Sequence, residues 1–350
     1  MTQRESVNYE ALDLVTSQVK TSNLKRDRLR KQIKKLHERG KLDFTQLDEE
    51  WRWRLCCARL RLGDYSNWDG WQFRSDWSKA LITEKSSLPR WDGRPFGPGV
   101  ARLLVLGEEG IGDEVMHASV IPEAIVRLGK AGVVYECDTR LHGIIKRSYG
   151  IECLPRQPLN VVRQNISHWI PQGDLTAMFR RDKSHFPGKP YLKADPVLVD
   201  KWKKVFEDLT DKKKVAISWR GKHSLTDPEN LMLQDAFYVN LQYDDKVELP
   251  GVYKPPFDLK NDLDDLFAII AVMDNVVSVS TSLVHFSEAL GADLDIVLAR
   301  LPEEQDIEYS TNWRYGPGDT SVWSKTAKIH RSTDEYRERV LNGYYSNSKR

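Results

Sequence analysis

The sequence predicts an α/β protein with two parallel-sheet halves and a helical region before them. From Arg102 onward, short apolar runs typical of strands alternate with amphipathic stretches typical of helices. The alternation starts again near residue 196, after a polar and less regular region. An alternating βαβ order implies parallel strands with right-handed crossovers, and ligands bind beyond the carboxyl ends of such strands. We therefore expect two Rossmann-like halves with a cleft between them.

Residues 1–80 are predicted to be helical, because apolar residues recur at helical spacing within 24–36 and within 44–65. The segment SSLPRWDGRPFGPG, residues 86–99, is rich in proline and glycine and is predicted to be a linker. These patterns divide the chain into a helical region at 1–80, a first α/β domain at 81–195, a second at 196–330, and a C-terminal helix and tail at 331–350.

Three strands are predicted in the first half. Their apolar runs are residues 102–107, 133–138 and 151–155. Helices are predicted at 113–132 and 139–150, and Pro122 is expected to kink the first of them. No element is predicted in the polar region after residue 164.

In the second half, the pattern predicts a helix at 197–209, strands at 213–219, 237–242, 275–280 and 294–299, and a last helix at 332–345. Two further helices have recognisable ends. Asp262 is the expected N-cap of a helix at 261–274, and Gly291 is expected to close a helix at 282–292.

Composition places the chain among globular cytoplasmic proteins. Of its 350 residues 40% are hydrophobic and 30% are charged, and no apolar run approaches the ~20 residues of a membrane span. The N-terminus lacks the apolar stretch of an export signal. The four cysteines show no C-x-x-C spacing, so neither a zinc site nor any other metal site is expected. The net charge of +2 identifies no class of partner, and the oligomeric state stays open.

The stretch GEEGIGDEVMH, residues 107–117, lies between the first predicted strand and helix. Its three glycines are typical of a phosphate-binding loop, but four acids in the same loop would repel a phosphate. The acids are Glu108, Glu109, Asp113 and Glu114. An Asp at the start of a helix beside a cleft suits a base that takes a proton from a hydroxyl, and His117 shares its helix face. On the residues alone, capping the helix is the simpler role for Asp113.

Two strand-to-helix turns in the second half suit phosphate groups. The turn SWRGKH supplies Arg220, Lys222 and His223 as cations for a diphosphate, although a solvated loop would look the same. At SVSTSLVH, a helix beginning at Thr281 or Ser282 offers hydroxyls and free N–H groups. An ordinary N-cap explains that pattern equally well.

Seven collinear segments resemble one family. LLVLGEEGIGDEVMHASVIPEAI is similar to the opening of the catalytic region in bacterial glycosyltransferases joined to tetratricopeptide repeats, which are relatives of the ADP-heptose:lipopolysaccharide heptosyltransferases. GDYSNWDGWQFRSDW precedes this stretch and resembles the family's lead-in from its last helical repeat. The segments that follow, in the family's order, are DTRLHGIIKRSYGIECLPR, HWIPQGDLTAMFRRDKSHFPGKPYLKADP, VAISWRGKH, VNLQYDD and MDNVVSVSTSLVHFSEALGA. The resemblance covers residues 60–325.

The resemblance implies a GT-B fold, in which an acceptor-binding first half and a nucleotide-sugar-binding second half face a cleft. It implies a metal-independent and inverting transfer that uses a UDP- or ADP-sugar as co-substrate and no cofactor. The implied catalytic residues are Asp113, as the base, and His117. The implied acceptor-binding residues are Glu109, Gly110 and Gly112, whose glycines let the acceptor approach the backbone closely. The implied donor-binding residues are Trp219, Arg220, Lys222, Gln242, Ser280, Thr281, Ser282 and His285.

This sequence departs from the family pattern in two places. The usual D-T-x-x-x-H reads STSLVH, with Ser280 where the family has an Asp that helps to hold the donor. The N-terminal region is also too short for a repeat array and amounts to a remnant of one or two tetratricopeptide-like helical pairs.

Three functions follow from these patterns. The first is a glycosyltransferase with a glycan or protein acceptor. The second has the same chemistry on modified DNA bases, because the run at 25–41 has nine Lys or Arg against two acids. The third is a non-catalytic scaffold that binds a sugar nucleotide, because Ser280 replaces the family's Asp.

Overall fold

The computed structural model describes residues 49–66, 68–74, 88–96, 101–156, 165–221, 225, 227–243, 249–298 and 313–342. The predicted helix within 24–36, the basic run at 25–41, and Lys222 and His223 lie outside the described residues.

The described residues form these α-helices: α1 (Glu49–Arg61), α2 (Ile111–Ala118), α3 (Ile121–Leu128), α4 (His142–Tyr149), α5 (Gln172–Phe179), α6 (Pro196–Leu209), α7 (Leu263–Val272), α8 (Ser282–Leu290) and α9 (Thr333–Leu341). The strands are β1 (Arg102–Leu106), β2 (Val133–Cys137), β3 (Glu152–Pro155), β4 (Ile166–Pro171), β5 (Lys214–Ser218), β6 (Phe237–Asn240), β7 (Asn275–Ser278), β8 (Leu294–Val297) and β9 (Ala327–His330).

The strands form two sheets in which every described pair is parallel. The strand orders are β3-β2-β1-β4 and β6-β5-β7-β8-β9. These sheets confirm the predicted α/β class. In each sheet the chain reverses its lateral direction beside the first strand, between β1 and β4 and between β5 and β7. Such reversal points open a crevice at the carboxyl ends of the strands, where ligands bind in this class of fold.

Four predicted details of the elements were wrong or incomplete. Pro122 does not kink a single long helix but lies at the start of α3, after α2 has ended at Ala118. Within the region expected to be irregular, β4 and α5 form an edge strand and its following helix. A fifth strand, β9, completes the second sheet. Asp262 precedes α7, as predicted, but its side chain makes no capping hydrogen bond.

The predicted linker is partly integrated into the first sheet. Arg90 forms a parallel bridge with Trp169 of β4, and the Trp91 N–H donates to the Trp169 carbonyl at 3.0 Å. The Trp91 side chain is buried. The segment 88–96 therefore covers the free edge of β4, which protects a sheet edge from pairing with other chains.

The two halves are in contact through α2 and α8. A Cβ added at Gly112 would lie 3.0 Å from the Ser282 Cα and 3.2 Å from the His285 Cδ2. Glycine is needed at this position because any side chain would separate the two helices. The N-termini of α2 and α8 therefore lie side by side, each just beyond the strand that leads into it.

The region around α1 is held by an aromatic cluster. Its buried members come from α1, the segment 65–71 and the segment 313–323, together with Met116 of α2 and Phe186. Trp71 and Trp313 pack edge to face with ring centroids 4.9 Å apart. This aromatic cluster fixes the segment 313–315 against the start of the first half.

Among the described residues, no helix is long and apolar enough to cross a bilayer. The same residues contain no group of three His, Cys, Asp or Glu side chains that could hold a metal ion.

Candidate functional site

Glu108 ties the two loops at the β1/β4 reversal point together. Its carboxylate accepts Arg74 Nε at 2.7 Å and Nη2 at 2.5 Å, and it accepts the Gly173 N–H at 3.2 Å. The Arg74 guanidinium also donates to Asp174 Oδ1 at 2.9 Å. Both the Glu108 and Arg74 side chains are 1% exposed, and burial raises the pKa of Glu108 above its ordinary value. Glu108 is therefore a structural ion-pair partner that no substrate reaches in this conformation.

Glu114 performs a similar role toward β2 and β3. Its buried carboxylate accepts Arg156 Nε at 2.8 Å and the Asp138 N–H at 3.0 Å. Burial raises its pKa to about 7 against the opposing charge of Arg156. Glu114 thereby fixes the start of α2 relative to the loops that follow the neighbouring strands.

Asp113 is paired with an arginine from the other end of the chain. The Arg314 guanidinium donates to Asp113 Oδ1 from Nε at 3.0 Å and also from Nη2. Burial alone would raise the pKa of Asp113, but the charge of Arg314, its hydrogen bonds to the carboxylate and other nearby positive charge together hold the pKa below its ordinary value. A carboxylate held ionised in this way is a weak proton acceptor.

Glu109 differs from the other three acids of the loop. Its side chain is 29% exposed, and its nearest approach to Arg314 is 3.6 Å. Its backbone has φ +61°, a left-handed conformation that non-glycine residues rarely adopt. Burial and the neighbouring charge of Asp113 raise its pKa to about 7. Glu109 is thus the most exposed member of the loop's acids and titrates near neutral pH.

His117 lies beneath the loop, inside the aromatic cluster. Its ring is 6.0 Å from Trp71 and 6.3 Å from both Trp313 and Trp323, and its Nδ1 lies 2.9 Å from Thr176 Oγ1. The residue is 2% exposed, and burial lowers its pKa to about 3. The ring is therefore neutral at pH 7 and almost inaccessible to solvent, and the catalytic role that the family resemblance implies for it stays a prediction.

In the second half, Gln242 organises the turn after β5. Its Oε1 accepts Ser218 Oγ at 3.0 Å, the Trp219 N–H at 3.2 Å and the Arg220 N–H at 2.9 Å. The side chain is 1% exposed, and its buried Nε2 has no hydrogen-bond partner among the described residues. Trp219 is also 1% exposed and packs in the core. In this conformation both residues shape the backbone that presents Arg220, and their contact with a donor stays a prediction.

Replacing Gln242 with leucine should lower the free energy of unfolding by about 1–3 kcal/mol, because it leaves two backbone N–H groups and a hydroxyl buried without their acceptor. Urea unfolding at pH 7 measures this loss. A loss below about 0.5 kcal/mol would mean that the turn does not depend on this amide.

The turn after β7 has features of both roles predicted for it, an N-cap of the helix and a phosphate site. Thr281 caps α8, because its Oγ1 accepts the Leu283 N–H at 3.3 Å. Thr281 and Ser282 also line a pocket. Ser280 Oγ lies 2.5 Å from the Tyr315 hydroxyl, so the residue that replaces the family's Asp faces the segment that carries Arg314. His285 is buried, with its Nδ1 3.0 Å from Glu288 Oε2.

A pocket of about 220 Å³ lies between the carboxyl ends of β5, β6 and β7 and the first half. Ile111 and Arg140 line it from the first half, and Lys260 faces them from the second. The Arg140 guanidinium donates to the Lys260 carbonyl at 2.7 Å, so the two halves meet at its rim. Its remaining lining residues are Ser218, Leu241, Tyr243, Leu259, Leu263, Leu266, Thr281, Ser282, Leu283 and Phe286. The pocket thus combines an apolar wall, hydroxyls, a helix N-terminus and two cationic residues.

Sequence reasoning missed the cations that matter most here. Arg314 follows Trp313 in the segment TNWRYG, where tryptophans beside charges predict packing, and the Arg314 guanidinium lies 5.0 Å from the Trp313 ring centroid. That pattern does not reveal the pairing with Asp113. No sequence motif marks Arg140 or Lys260. Only their position at the carboxyl ends of strands and beside the start of α7 brings them to the pocket.

The comparisons with known proteins give partial matches. No protein-family model matches the chain. Protein FlbA of Caulobacter vibrioides is 28% identical over an alignment of 267 residues, and the match covers 65% of this chain and 44% of FlbA. The match thus spans less than half the length of this relative. Among solved structures, ADP-heptose lipopolysaccharide heptosyltransferase II of E. coli has a TM-score of 0.45 at 11% identity and covers 69% of this chain and 98% of its own. A family 9 glycosyl transferase of Veillonella parvula has a TM-score of 0.43 at 9% identity and covers 72% and 94%.

Proposed function

We propose that the chain is a glycosyltransferase that moves a sugar from a nucleotide-sugar donor to an acceptor hydroxyl. The observation that carries the proposal is the side-by-side placement of two strand-to-helix turns. The acid loop that begins α2 lies against the phosphate-suited start of α8, so close that a Cβ added at Gly112 would lie 3.0 Å from the Ser282 Cα. A transfer of this kind needs a proton acceptor on one side of the reacting carbon and a stabiliser of the leaving diphosphate on the other.

In the second half, the pocket suits a nucleoside diphosphate. The N-terminus of α8 carries the positive end of the helix dipole and the hydroxyls of Thr281 and Ser282, which favour a phosphate. Lys260 supplies positive charge at the rim, together with Arg140, whose guanidinium is also paired with Asp138 at 2.7 Å. The wall formed by Leu259, Leu263 and Phe286 suits a nucleobase. Arg220 begins the adjoining turn, and Lys222, outside the described residues, remains a predicted contact.

On the first half, the glycines of the loop leave room for the acceptor. A Cβ on Gly110 would meet only the Asp113 carboxylate, at 3.5 Å, so this residue borders open space. As the acceptor oxygen attacks the anomeric carbon, a loop carboxylate takes its proton and the bond from that carbon to the diphosphate breaks. The α8 N-terminus and the cations then stabilise the charge that develops on the leaving group. Inversion without a metal is what the family resemblance implies for this step.

Nucleotide release from UDP-, ADP- and GDP-sugars, with water or a glycan as acceptor, tests the proposal. The wild type should release nucleotide from at least one donor. The double variant Glu109→Gln/Asp113→Asn should release it at least about 100-fold more slowly, because general-base catalysis contributes about 10²–10⁴-fold. Equal rates in the two proteins would remove the acid loop from the mechanism.

Ser280 favours a second candidate, a non-catalytic protein that binds sugar nucleotides, because its hydroxyl is 2.5 Å from that of Tyr315 instead of carrying the carboxylate found in the family. A wild type that binds UDP or ADP but turns over no donor would support this scaffold. The DNA-acceptor alternative rests on residues 25–41, outside the described residues.

A further inference from the structure

We propose that Glu109, and not Asp113, is the residue that accepts the acceptor's proton, while Arg314 keeps Asp113 ionised as a positioning group. The inference rests on the proposed transfer reaction. It assigns the proton-accepting role to a residue that the sequence pattern placed only among the acceptor contacts.

The pairing of the loop acids is the first argument. Glu108, Asp113 and Glu114 each accept an arginine N–H at 3.0 Å or less, and such hydrogen bonds favour the ionised carboxylate. Glu109 approaches Arg314 no closer than 3.6 Å. Its carboxylate therefore has greater capacity to take up a proton from a hydroxyl that enters the site.

Position is the second argument. Glu109 lies at the tip of the loop after β1, at the reversal point of the first sheet, and two residues before the pocket-lining Ile111. Its side chain is 29% exposed, against 18% for Asp113 and 1% or less for the other two acids. Glu109 is therefore the acid of this loop that is most accessible to a substrate.

The backbone of Glu109 is the third argument. Its φ of +61° costs of order 1–3 kcal/mol for a residue with a Cβ, and such conformations cluster at active sites. Glycine would adopt this conformation without strain, and glycines occupy Gly107, Gly110 and Gly112 of the same loop. A glutamate in the strained position is consistent with a side chain kept there for its function.

The charges around Glu109 set its proton affinity near neutrality. The charged and titratable groups that face it are Glu108 and Asp113 of its own loop, Arg314, Arg74, Arg156 (which donates to the Glu109 carbonyl at 3.2 Å) and Cys57 of α1. Burial and the charge of Asp113 raise the pKa of Glu109 to about 7, even though Arg314 opposes the shift. A base whose pKa is near the working pH is substantially deprotonated and still has enough proton affinity to drive the transfer.

The proposed step balances. The acceptor O–H proton moves to the Glu109 carboxylate while the oxygen forms its bond to the anomeric carbon. The bond from the anomeric carbon to the diphosphate oxygen breaks, and its electron pair leaves with the nucleoside diphosphate.

The pH–rate profiles of single variants distinguish the two acids, with nucleotide release from the UDP-, ADP- and GDP-sugars as the assay. The wild-type rate should fall as the pH drops through about 7, and this fall is the acid limb of the profile. Glu109→Gln should lose about 100-fold or more in rate and lose this acid limb altogether. Asp113→Asn should keep the limb but move it to lower pH, because it removes the neighbouring negative charge and frees Arg314 for Glu109. Glu114→Gln, which removes the other acid with a pKa of about 7, is the matched control and should leave the limb in place.

A substrate-free readout accompanies the rates. A raised pKa means that the fold favours the protonated carboxyl, so the unfolding free energy of the wild type should fall relative to Glu109→Gln as pH rises from 4.5 to about 7. A limb that is lost in Asp113→Asn and kept in Glu109→Gln, or a flat stability difference over this range, would overturn the assignment and leave the transferase proposal standing. A wild type that releases nucleotide from no donor would overturn both proposals.

Discussion

Replacing Arg74 with methionine should lower the free energy of unfolding by about 3–5 kcal/mol at pH 7, because it leaves the buried carboxylates of Glu108 and Asp174 without the guanidinium that pairs with both. Urea unfolding measures the loss. It should be smaller at pH 5, because burial already raises the pKa of Glu108 and the unpaired carboxyl can then be neutralised by a proton.

Arg90→Met is the matched control. Arg90 also pairs with Asp174, but its side chain is 46% exposed. A pair of this kind contributes no more than about 1 kcal/mol. Equal losses in the two variants would mean that the connection between the loops at the β1/β4 reversal point does not depend on the buried guanidinium.

Replacing Arg314 with methionine should move the acid limb of the pH–rate profile upward by roughly 1–3 units, because a cation within about 4–6 Å lowers the pKa of a carboxyl by that amount. Both acids near this guanidinium respond in the same direction. Asp113 loses two hydrogen bonds and Glu109 loses its nearest positive charge, so both bind protons more tightly. The rate at pH 7 should fall accordingly.

Arg314→Lys is the control for charge. It keeps a cation near both carboxylates but loses the paired donation from one guanidinium. Its limb should stay within about half a unit of the wild type, well short of the shift expected without a cation. A methionine variant whose profile overlays the wild type would show that Arg314 does not control proton affinity in the loop.

Much of the fold follows from local sequence. The apolar runs that became β1, β2 and β5 are continuous because these strands are covered on both faces of parallel sheets. The sequence pattern did not predict β4, because this strand lies at the edge of its sheet, carries the half-buried Ser167 and His168, and ends in Pro171. An edge strand that is partly accessible to solvent has no continuous apolar run to signal it.

The pairing inside the site lies beyond local sequence. The four acids of GEEGIGDE are visible in the sequence, but their partners are not. Arg74, Arg156 and Arg314 lie 34, 42 and 201 residues from the acids they bind. The packing of the two sheets and the aromatic cluster brings these distant residues together, and no spacing pattern in the sequence indicates that packing. The loop therefore predicted a proton-accepting role without indicating which carboxylate is available for it.

A structure of the protein with a bound nucleoside diphosphate, obtained by soaking crystals separately with UDP and ADP, tests the transferase account most directly. The account predicts that the diphosphate lies at the N-terminus of α8, with its oxygens about 2.7–3.2 Å from backbone N–H groups and from the Arg220 guanidinium, and that the base packs against Leu259, Leu263 and Phe286. A nucleotide bound away from the turns after β5 and β7, or no binding at millimolar concentration, would contradict it.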